Sequence, residues 1–417
     1  MSSNSELTSP IGKSGPQVGR REGVLEVRRK LIVFFSAVDL ETGRGTENYL
    51  TQLILRGDAN GFSVILVQPY GNAKITHRSV AGEANILRFT SWDASFAFMR
   101  ESPFLQLPYE LAIRPFLLWF RRHTDLRGLL STLRDLRPTA VYLGFNEYLP
   151  LVSGLPSPII LSAHNLPSKS PLTTRILLKL WCQGLYYRSA GAFHLLPKYA
   201  EVADDAPVPT IILPGGANLG WHRDKTSSDP KVRVLYVGHL SREKGVPELL
   251  RICSRLPADK FHITIVGKGP MSASIIGWCK TRKNVTYLGF VPEELLASLY
   301  SNSDVFVYPS VQDTFGLVVS QALSSGLHVL TSTSLKGSFD EFEKEGFLSY
   351  LHPDALDRWL VQLDWVSDHL RDIRNASPRV RSLAAAYFDW DHIANEFYHW
   401  VADIAPMTRP GTVTSEG

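Results

Sequence analysis

The sequence predicts an α/β protein of two domains, each a doubly wound sheet of parallel strands with helices on both faces. Its 417 residues exceed what one hydrophobic core usually organises, so two domains are expected. Continuous apolar runs such as Leu31–Phe35 are typical of strands that are covered on both sides. Loops that contain glycine follow several of these runs and lead into helices. Ligands are therefore expected at the carboxyl ends of the strands.

Composition narrows the functional class. Hydrophobic residues make up 44% and charged residues 20% of the chain, as in a globular protein. The net charge of +4 suits anionic small ligands or anionic lipid, and no basic-aromatic motif indicates a nucleic-acid partner. Cys182, Cys253 and Cys279 lack paired spacing and are expected to be small core residues. This cysteine usage suits a reducing compartment, so we expect a cytoplasmic protein.

The ends of the chain differ from its middle. Residues 1–28 are rich in Ser, Gly and Pro without an apolar run, which predicts a flexible tail rather than a secretory signal. Residues 407–417 have a similar composition. Between them we expect a first domain over 29–222, a second over 223–388, and a closing segment over 389–406. No run approaches the roughly 20 apolar residues that a membrane span requires.

The first domain opens with a strand, a glycine loop and a helix. The loop contains Gly43, Gly45 and Thr46, and Ser63–Val67 reads as the next strand. Taken alone, the glycine pair equally suits a turn that needs positive φ. After the short strand Ile159–Leu161, His164 is expected at the ligand edge of the sheet, although a loop histidine that caps a helix fits equally well.

Two basic segments of the first domain each allow two interpretations. Residues 96–137 combine aromatic and leucine clusters with several arginines, and residues 172–188 repeat the pattern. The first interpretation, which we prefer, is helices packed on the sheet with a solvated arginine face. The second is a basic amphipathic surface that contacts the inner face of an anionic membrane, where a lipid-linked acceptor would lie.

The second domain begins with the strand Val234–Gly238, followed by His239, Lys244 and a helix start at Pro247. A cation in such a loop can neutralise a phosphate, and the alternative is a solvated turn. Two later loops follow strands in the same way. They contain Lys268 and Gly269 in the first loop, and Phe290 and Val291 in the second.

Residues 304–330 carry the most specific pattern. A buried strand ends at Pro309, a polar loop with Asp313 follows, and a helix from Gly316 to Ser325 ends at Gly326. The N–H groups around Phe315, Gly316 and Leu317 can hold an anion at this helix start. Gln321 lies further along the same helix. The stretch predicts a site for a phosphorylated ligand that also presents hydroxyls.

This stretch resembles the signature of the retaining family-4 (group 1) glycosyltransferases, which have the GT-B architecture of two Rossmann-like domains facing across a cleft. That family carries two Glu eight positions apart, where this chain has Asp313 and Gln321. His239 stands where the family has Arg, and Lys244 is retained. Pro214, Gly215 and Gly216 resemble the turn before the family's interdomain linker. The final helix resembles the segment that crosses back to the first domain.

The resemblance implies a metal-independent hexosyltransferase of polysaccharide biosynthesis that needs no cofactor. It would move a sugar from a nucleoside-diphosphate donor to a hydroxyl of a glycan, a lipid-linked or a small-molecule acceptor, with retention of configuration. It also implies residue roles. The implied catalytic residues are Asp313, Lys244 and His164. The residues implied to bind the donor diphosphate are Gly43, Gly45, Thr46, Gly238, His239, Lys244, Phe315, Gly316 and Leu317. Those implied to bind the ribose and base are Gln321, Lys268, Gly269, Phe290 and Val291.

The departures at Asp313, Gln321 and His239 leave a second hypothesis open. Glu to Gln removes a charge, and His is a weaker diphosphate ligand than Arg. A non-catalytic member that binds a nucleotide or glycan, or that scaffolds glycan assembly, would tolerate both changes. A nucleotide-sugar epimerase or hydrolase ranks lower, because the matched positions hold no acid–base pair.

Overall fold

A computed structural model describes residues 30–36, 45–69, 85–89, 127–144, 149–152, 155–162, 191–199, 208–221 and 229–407. The described chain forms two sheets in which every paired strand is parallel. The first sheet comprises β1 (Lys30–Phe35), β2 (Phe62–Pro69), β3 (Asn85–Phe89), β4 (Ala140–Leu143), β5 (Ile159–Ser162), β6 (Ala192–Leu195) and β7 (Thr210–Ile212). The second comprises β8 (Val232–Val237), β9 (Phe261–Val266), β10 (Val285–Gly289), β11 (Val305–Tyr308), β12 (His328–Ser332) and β13 (Leu348–Leu351).

Helices connect and cover these strands. In the first domain they are α1 (Gly45–Leu55), α2 (Arg127–Leu136) and α3 (Leu149–Val152). In the second domain they are α4 (Val246–Cys253), α5 (Ser272–Cys279), α6 (Glu293–Ser301), α7 (Leu317–Ser324), α8 (Asp340–Lys344), α9 (Leu356–Asp368) and α10 (Leu370–Phe388). The last helix is α11 (Trp390–Met407).

Both sheets reverse their strand order beside their first strand. The first has the order β3-β2-β1-β4-β5-β6-β7, and the second has the order β10-β9-β8-β11-β12-β13. The reversal points lie between β1 and β4 and between β8 and β11. Loops diverge above such a reversal and leave a crevice at the carboxyl edge. The expected fold of two doubly wound domains is confirmed.

The closing helix returns to the first domain, as expected. Trp390, Phe397 and Val401 of α11 lie in the core that covers one face of the first sheet together with α1. The Tyr398 hydroxyl also donates to the Leu53 carbonyl at 2.8 Å. The expected domain boundary at residues 222 and 223 falls outside the described residues, as do residues 1–28, and it stays a prediction.

Helix α2 packs on the other face of the first sheet. Leu130 and Leu133 are buried in the core formed there with β1, β2, β4 and β5, while Arg127 and Arg134 are exposed. For residues 127–136 the structure therefore confirms a packed helix with a solvated arginine face. The earlier part of this segment, residues 96–126, and residues 172–188 lie outside the part of the chain that is described.

Candidate active site

The centre of the site is the carboxylate of Asp313, in the loop after β11. Its Oδ2 accepts a hydrogen bond from the Tyr308 hydroxyl at 2.7 Å and lies 2.8 Å from Lys244 Nζ. Its Oδ1 accepts from the Thr314 backbone N–H at 2.7 Å. The carboxylate is mostly buried, and these three donors hold it in place. Asp313 and Lys244, from two separate loops, are thus brought together as a preformed ion pair.

The loop that carries Lys244 is fastened to the loop that carries Asp313. The Glu243 carbonyl accepts hydrogen bonds from the backbone N–H groups of Val311 at 2.9 Å and Gln312 at 3.0 Å. Gly245 has a φ of +74°, and a Cβ there would overlap the Pro309 carbonyl. Only glycine suits this position, because the two backbones approach so closely. The position of Lys244 is therefore fixed by main-chain contacts.

Two buried tyrosines donate hydrogen bonds to the two residues of the ion pair. Tyr236 donates to the Lys244 carbonyl at 3.0 Å, and its ring centroid lies 5.9 Å from that of Tyr308. Burial, followed by the charge of Asp313, raises the pKa of both tyrosines above the usual value. Both hydroxyls hence stay protonated and act as donors. Neither tyrosine was singled out from the sequence, because each lies in a continuous buried run near the end of its strand.

Helix α7 begins beside this ion pair. Gly316 is its N-cap with φ +81°, and Phe315 is buried against Phe339, with ring centroids 5.1 Å apart. The first N–H groups of a helix have no acceptor within the helix, so this end can bind an anion. The helix begins at Leu317, one residue later than expected. Gly45, which starts α1 in the first domain, lies across from Leu317, because a Cβ added at Gly45 would lie 3.7 Å from Leu317 Cδ1.

The other loops at the same edge contain the residues expected near the diphosphate and base. Gly238 directly follows β8, and His239 is exposed. Lys268 Nζ lies 5.7 Å from the centroid of the Phe290 ring, which is 73% exposed after β10. Val291 is buried, and Gly269 packs closely on the Leu240 backbone. These residues do lie on loops at one sheet edge, and their contacts with a donor stay predictions.

Gln321 is engaged with the segment between the domains. Its Oε1 accepts from the Asn218 backbone N–H at 2.9 Å, and its Nε2 donates to the Asn218 carbonyl at 3.0 Å. The Asn218 side chain in turn donates to Glu293 Oε1 at 3.0 Å. The expected contact of Gln321 with a ribose stays a prediction. Asn218 and Glu293 were missed from the sequence, since neither carries a local pattern of its own.

The first domain contributes a lysine that was also missed from the sequence. Lys198, in the turn Pro197–Tyr199 after β6, donates from Nζ to the Asp313 carbonyl. Burial lowers its pKa, the charge of Asp313 raises it, and that of Lys244 lowers it again. Its position after a strand's carboxyl end was the available signal. The other expected first-domain residues are less defined, because Gly43 and His164 lie outside the described residues and Thr46 is placed only as part of α1.

Among the described residues, no group of three or more His, Cys, Asp or Glu side chains could hold a metal ion. Within those ranges, every helix is too short or too polar to cross a membrane.

Comparison with known proteins relates this site to a family. Residues 220–357 match the family model "Glycosyl transferases group 1". The chain is 31% identical over 197 residues to an uncharacterized glycosyltransferase of Methanocaldococcus jannaschii, covering 43% of this chain and 48% of that protein. It is 25% identical over 287 residues to a sulfoquinovosyl transferase of Arabidopsis thaliana, covering 60% and 53%. The chain thus spans about half the length of these curated relatives.

Solved structures match over nearly the whole fold. A sucrose-phosphate synthase from Thermosynechococcus elongatus matches with a TM-score of 0.70 and 17% identity, over 91% of this chain and 100% of that chain. HepE from Anabaena, solved in complex with UDP-glucose, matches with a TM-score of 0.62 and 15% identity, over 89% and 99%. The second domain thus matches the group 1 glycosyltransferase model over residues 220–357, and the chain has the GT-B fold of two Rossmann-like domains.

Proposed function

We propose that the protein transfers a sugar from a nucleoside-diphosphate donor to an acceptor hydroxyl with retention of anomeric configuration. The observation that carries this proposal is the Lys244–Asp313 ion pair at the start of α7. An ammonium and the free N–H groups of a helix start suit the charge that develops on a leaving diphosphate. A carboxylate beside them suits the oxocarbenium character of the sugar in the transition state.

We propose the remaining roles from the sequence resemblance. Asp313 holds donor-sugar hydroxyls, and His164 meets the sugar from the first domain. The diphosphate lies between the start of α7 and the loop of Gly43, Gly45 and Thr46, with Gly238 and His239 beside it. The base lies on the loops of Lys268 and Phe290. Binding two reactants in one cleft supplies much of the rate by orientation alone, so little covalent chemistry is asked of the protein.

We propose the nucleotide and the acceptor by chemical class only. HepE, a structural neighbour, was solved with UDP-glucose, which makes uridine donors the first to test. We propose a glycan, lipid-linked or small-molecule acceptor and a cytoplasmic location with peripheral contact to anionic membrane. The apolar side of α2 is buried in the first domain, so this helix would contribute its exposed arginines rather than its leucines.

Calorimetry and turnover assays test the donor site. UDP, GDP and ADP and their common nucleotide sugars are titrated into the wild type, Lys244→Ala and the control Lys336→Ala. Lys336 is the matched control because it carries the same charge as Lys244 and is exposed in the loop after β12.

We expect a base-selective heat signal in the wild type and in Lys336→Ala. Lys244→Ala should lose at least about 100-fold in turnover, the size of effect seen when one transition-state donor is removed. Circular dichroism checks that the variant is folded, and the anomeric coupling of the product, read by NMR, checks retention. If a folded wild type binds none of the nucleotides, the donor site is refuted and the non-catalytic scaffold becomes the leading function.

A further inference from the structure

Contacts among the described residues occupy most of the Asp313 carboxylate. A carboxylate offers about four acceptor positions, two on each oxygen. Both positions of Oδ2 are taken, by the Tyr308 hydroxyl at 2.7 Å and by Lys244 Nζ at 2.8 Å. One position of Oδ1 is taken by the Thr314 N–H at 2.7 Å. A ligand hydroxyl can therefore bind at Oδ1, while Oδ2 is held by the protein itself.

Tyr308 is the rigid one of the two groups on Oδ2. Its side chain is buried, and its ring packs on those of Phe306 and Tyr236, with both centroids 5.9 Å away. A Cβ added at Gly238 would lie 3.4 Å from Tyr308 Cε2, so the backbone there also touches the ring. Lys244, by contrast, has a flexible side chain that is 26% exposed. The Tyr308 hydroxyl thus has a fixed position, and the carboxylate is held against it.

This arrangement fits aspartate better than a longer side chain. Oδ2 is already at hydrogen-bonding distance from the Tyr308 hydroxyl, so a carboxylate one methylene further out would overlap that hydroxyl. Overlap of this kind in a packed site forces side chains out of their preferred rotamers. Removal of the hydroxyl would give the longer side chain the space that it needs. The residues at 308 and 313 are therefore matched in size.

We propose that Tyr308 is a positioning residue of the transfer reaction, whose hydroxyl fixes Oδ2 of Asp313 and so presents Oδ1 to a hydroxyl of the donor sugar. The proposal rests on the proposed function, because it assumes that a donor sugar lies beside Asp313. It deepens that function in one respect: which carboxylate is active at 313 depends on the side chain at 308.

A double-mutant cycle tests the proposal. UDP-glucose, or whichever nucleotide sugar the wild type binds, and its free nucleotide are titrated into the wild type, Tyr308→Phe, Asp313→Glu and the double variant. The rate of nucleotide release with water as the acceptor is measured for the same four proteins. Tyr398→Phe is the matched control, because its buried hydroxyl also donates a bond of 2.8 Å, to the Leu53 carbonyl in the first domain.

Tyr308→Phe should lower the rate of release by about tenfold, the effect expected when one hydrogen bond to a charged group is lost. Its affinity for the free nucleotide should stay within about threefold of the wild type, because the hydroxyl acts on the carboxylate. A merely structural role would weaken the free nucleotide as well. Asp313→Glu should lower the rate at least about tenfold in the wild type, yet raise it in the Tyr308→Phe background. Tyr398→Phe should change neither quantity.

Two results would overturn the proposal while the donor site stands: an equal loss from Asp313→Glu in both backgrounds, or a Tyr308→Phe variant with the wild-type rate. If the wild type binds no nucleotide sugar, the proposed function fails and the positioning role fails with it. Urea unfolding of the four proteins separates these failures, because it tests the match in size without any ligand. Asp313→Glu should lower the unfolding midpoint less in the Tyr308→Phe background than in the wild type, and an equal shift would refute the match.

Discussion

At the scale of single residues, the carboxylate of Asp313 depends on its neighbours for its orientation. Aspartate is one methylene shorter than the glutamate that the resembled family has at this position. Here Tyr308 and Lys244 both reach the same oxygen, Oδ2, and the Thr314 N–H binds the other. These hydrogen-bond donors reach the carboxylate despite the shorter side chain of aspartate. They set its orientation before any ligand binds.

His328 gives a prediction about the pH dependence of stability. It begins β12, is buried beside Trp365 with ring centroids 5.6 Å apart, and its Nε2 has no hydrogen-bond partner within the described residues. Burial lowers its pKa from 6.5 to about 4. The unfolded chain therefore binds a proton below pH 6.5 that the folded chain refuses, so stability falls as the pH drops from 6.5 towards 4.

The expected loss from this histidine is about 2 kcal/mol between about pH 7.5 and about pH 5. Urea unfolding at the two pH values measures it, with His328→Leu as the comparison, because leucine is apolar and does not titrate. The variant should lose less stability than the wild type over the same interval. An equal loss in both proteins would show that His328 is not the group responsible.

The role of a residue could be predicted only where a local sequence pattern indicated it. The sequence predicted Asp313, Lys244 and Gly316 from their place in loops at strand ends, and the structure brings these three together. It did not predict Lys198, Asn218 or Glu293. Each of these acts through a contact with a residue 75 or more positions away, and no local spacing records such a contact.

At the scale of elements, the start of α7 depends on the backbone of one glycine. Gly316 has φ +81° and ψ 58°, the left-handed region that other residues enter only at a cost. A Cβ at this position would lie 2.8 Å from Leu335 Cδ1. The turn therefore requires glycine both for its dihedral angles and for the space beside it.

Gly316→Ala should destabilise the protein by about 1–2 kcal/mol and weaken nucleotide binding, because the helix start would move. The control is Gly277→Ala within α5, where a Cβ meets open space. That change should stabilise by about 0.5–1 kcal/mol, since alanine is the better helix former. Thermal unfolding with and without nucleotide measures both. A neutral Gly316→Ala would refute the strained turn.

Elements were more predictable than residues because apolar runs report strands directly. The strands expected at Leu31–Phe35 and Ile159–Leu161 match β1 and β5 to within one residue at each end. The buried group of His194, Tyr49 and Tyr142 was not predicted. His194 lies 3.1 Å from the Tyr49 hydroxyl through Nε2 and 2.7 Å from the Tyr142 hydroxyl through Nδ1. Such a polar group inside a core has no periodic signature in the sequence.

At the scale of the whole molecule, the chain crosses between the domains twice at nearly the same place. Ala217 donates its N–H to the Phe388 carbonyl at 2.9 Å, which ties the outgoing segment to the returning one. Gly215 and Gly216 lie so close to Leu317 and Trp390 that a Cβ at either glycine would overlap a side chain. The start of α7 therefore contacts the crossing directly.

Lys198 makes a second link between the domains, on the cleft side. Its Nζ donates to the Asp313 carbonyl, and its backbone passes so close to Gly337 that a Cβ there would lie 3.1 Å from Lys198 Cα. Because the lysine belongs to the first domain and both partners belong to the second, the contact can form only while the two domains are docked. Lys198 thus links the loop of Asp313 to the first domain across the cleft.

Lys198→Met tests this coupling, because methionine keeps most of the apolar stem and removes the ammonium. A hydrogen bond from a charged donor contributes about 1.5–3 kcal/mol, reduced here by the partial exposure of the side chain. We therefore expect turnover to fall by about tenfold while nucleotide affinity changes little, since the phosphate contacts proposed for the second domain would remain. Small-angle scattering should show a larger radius of gyration than in the control Lys336→Met, which removes an exposed lysine from the neighbouring loop. Unchanged turnover together with unchanged dimensions would mean that the domains stay docked without Lys198, and that the crossing at Ala217 and Phe388 alone holds the cleft.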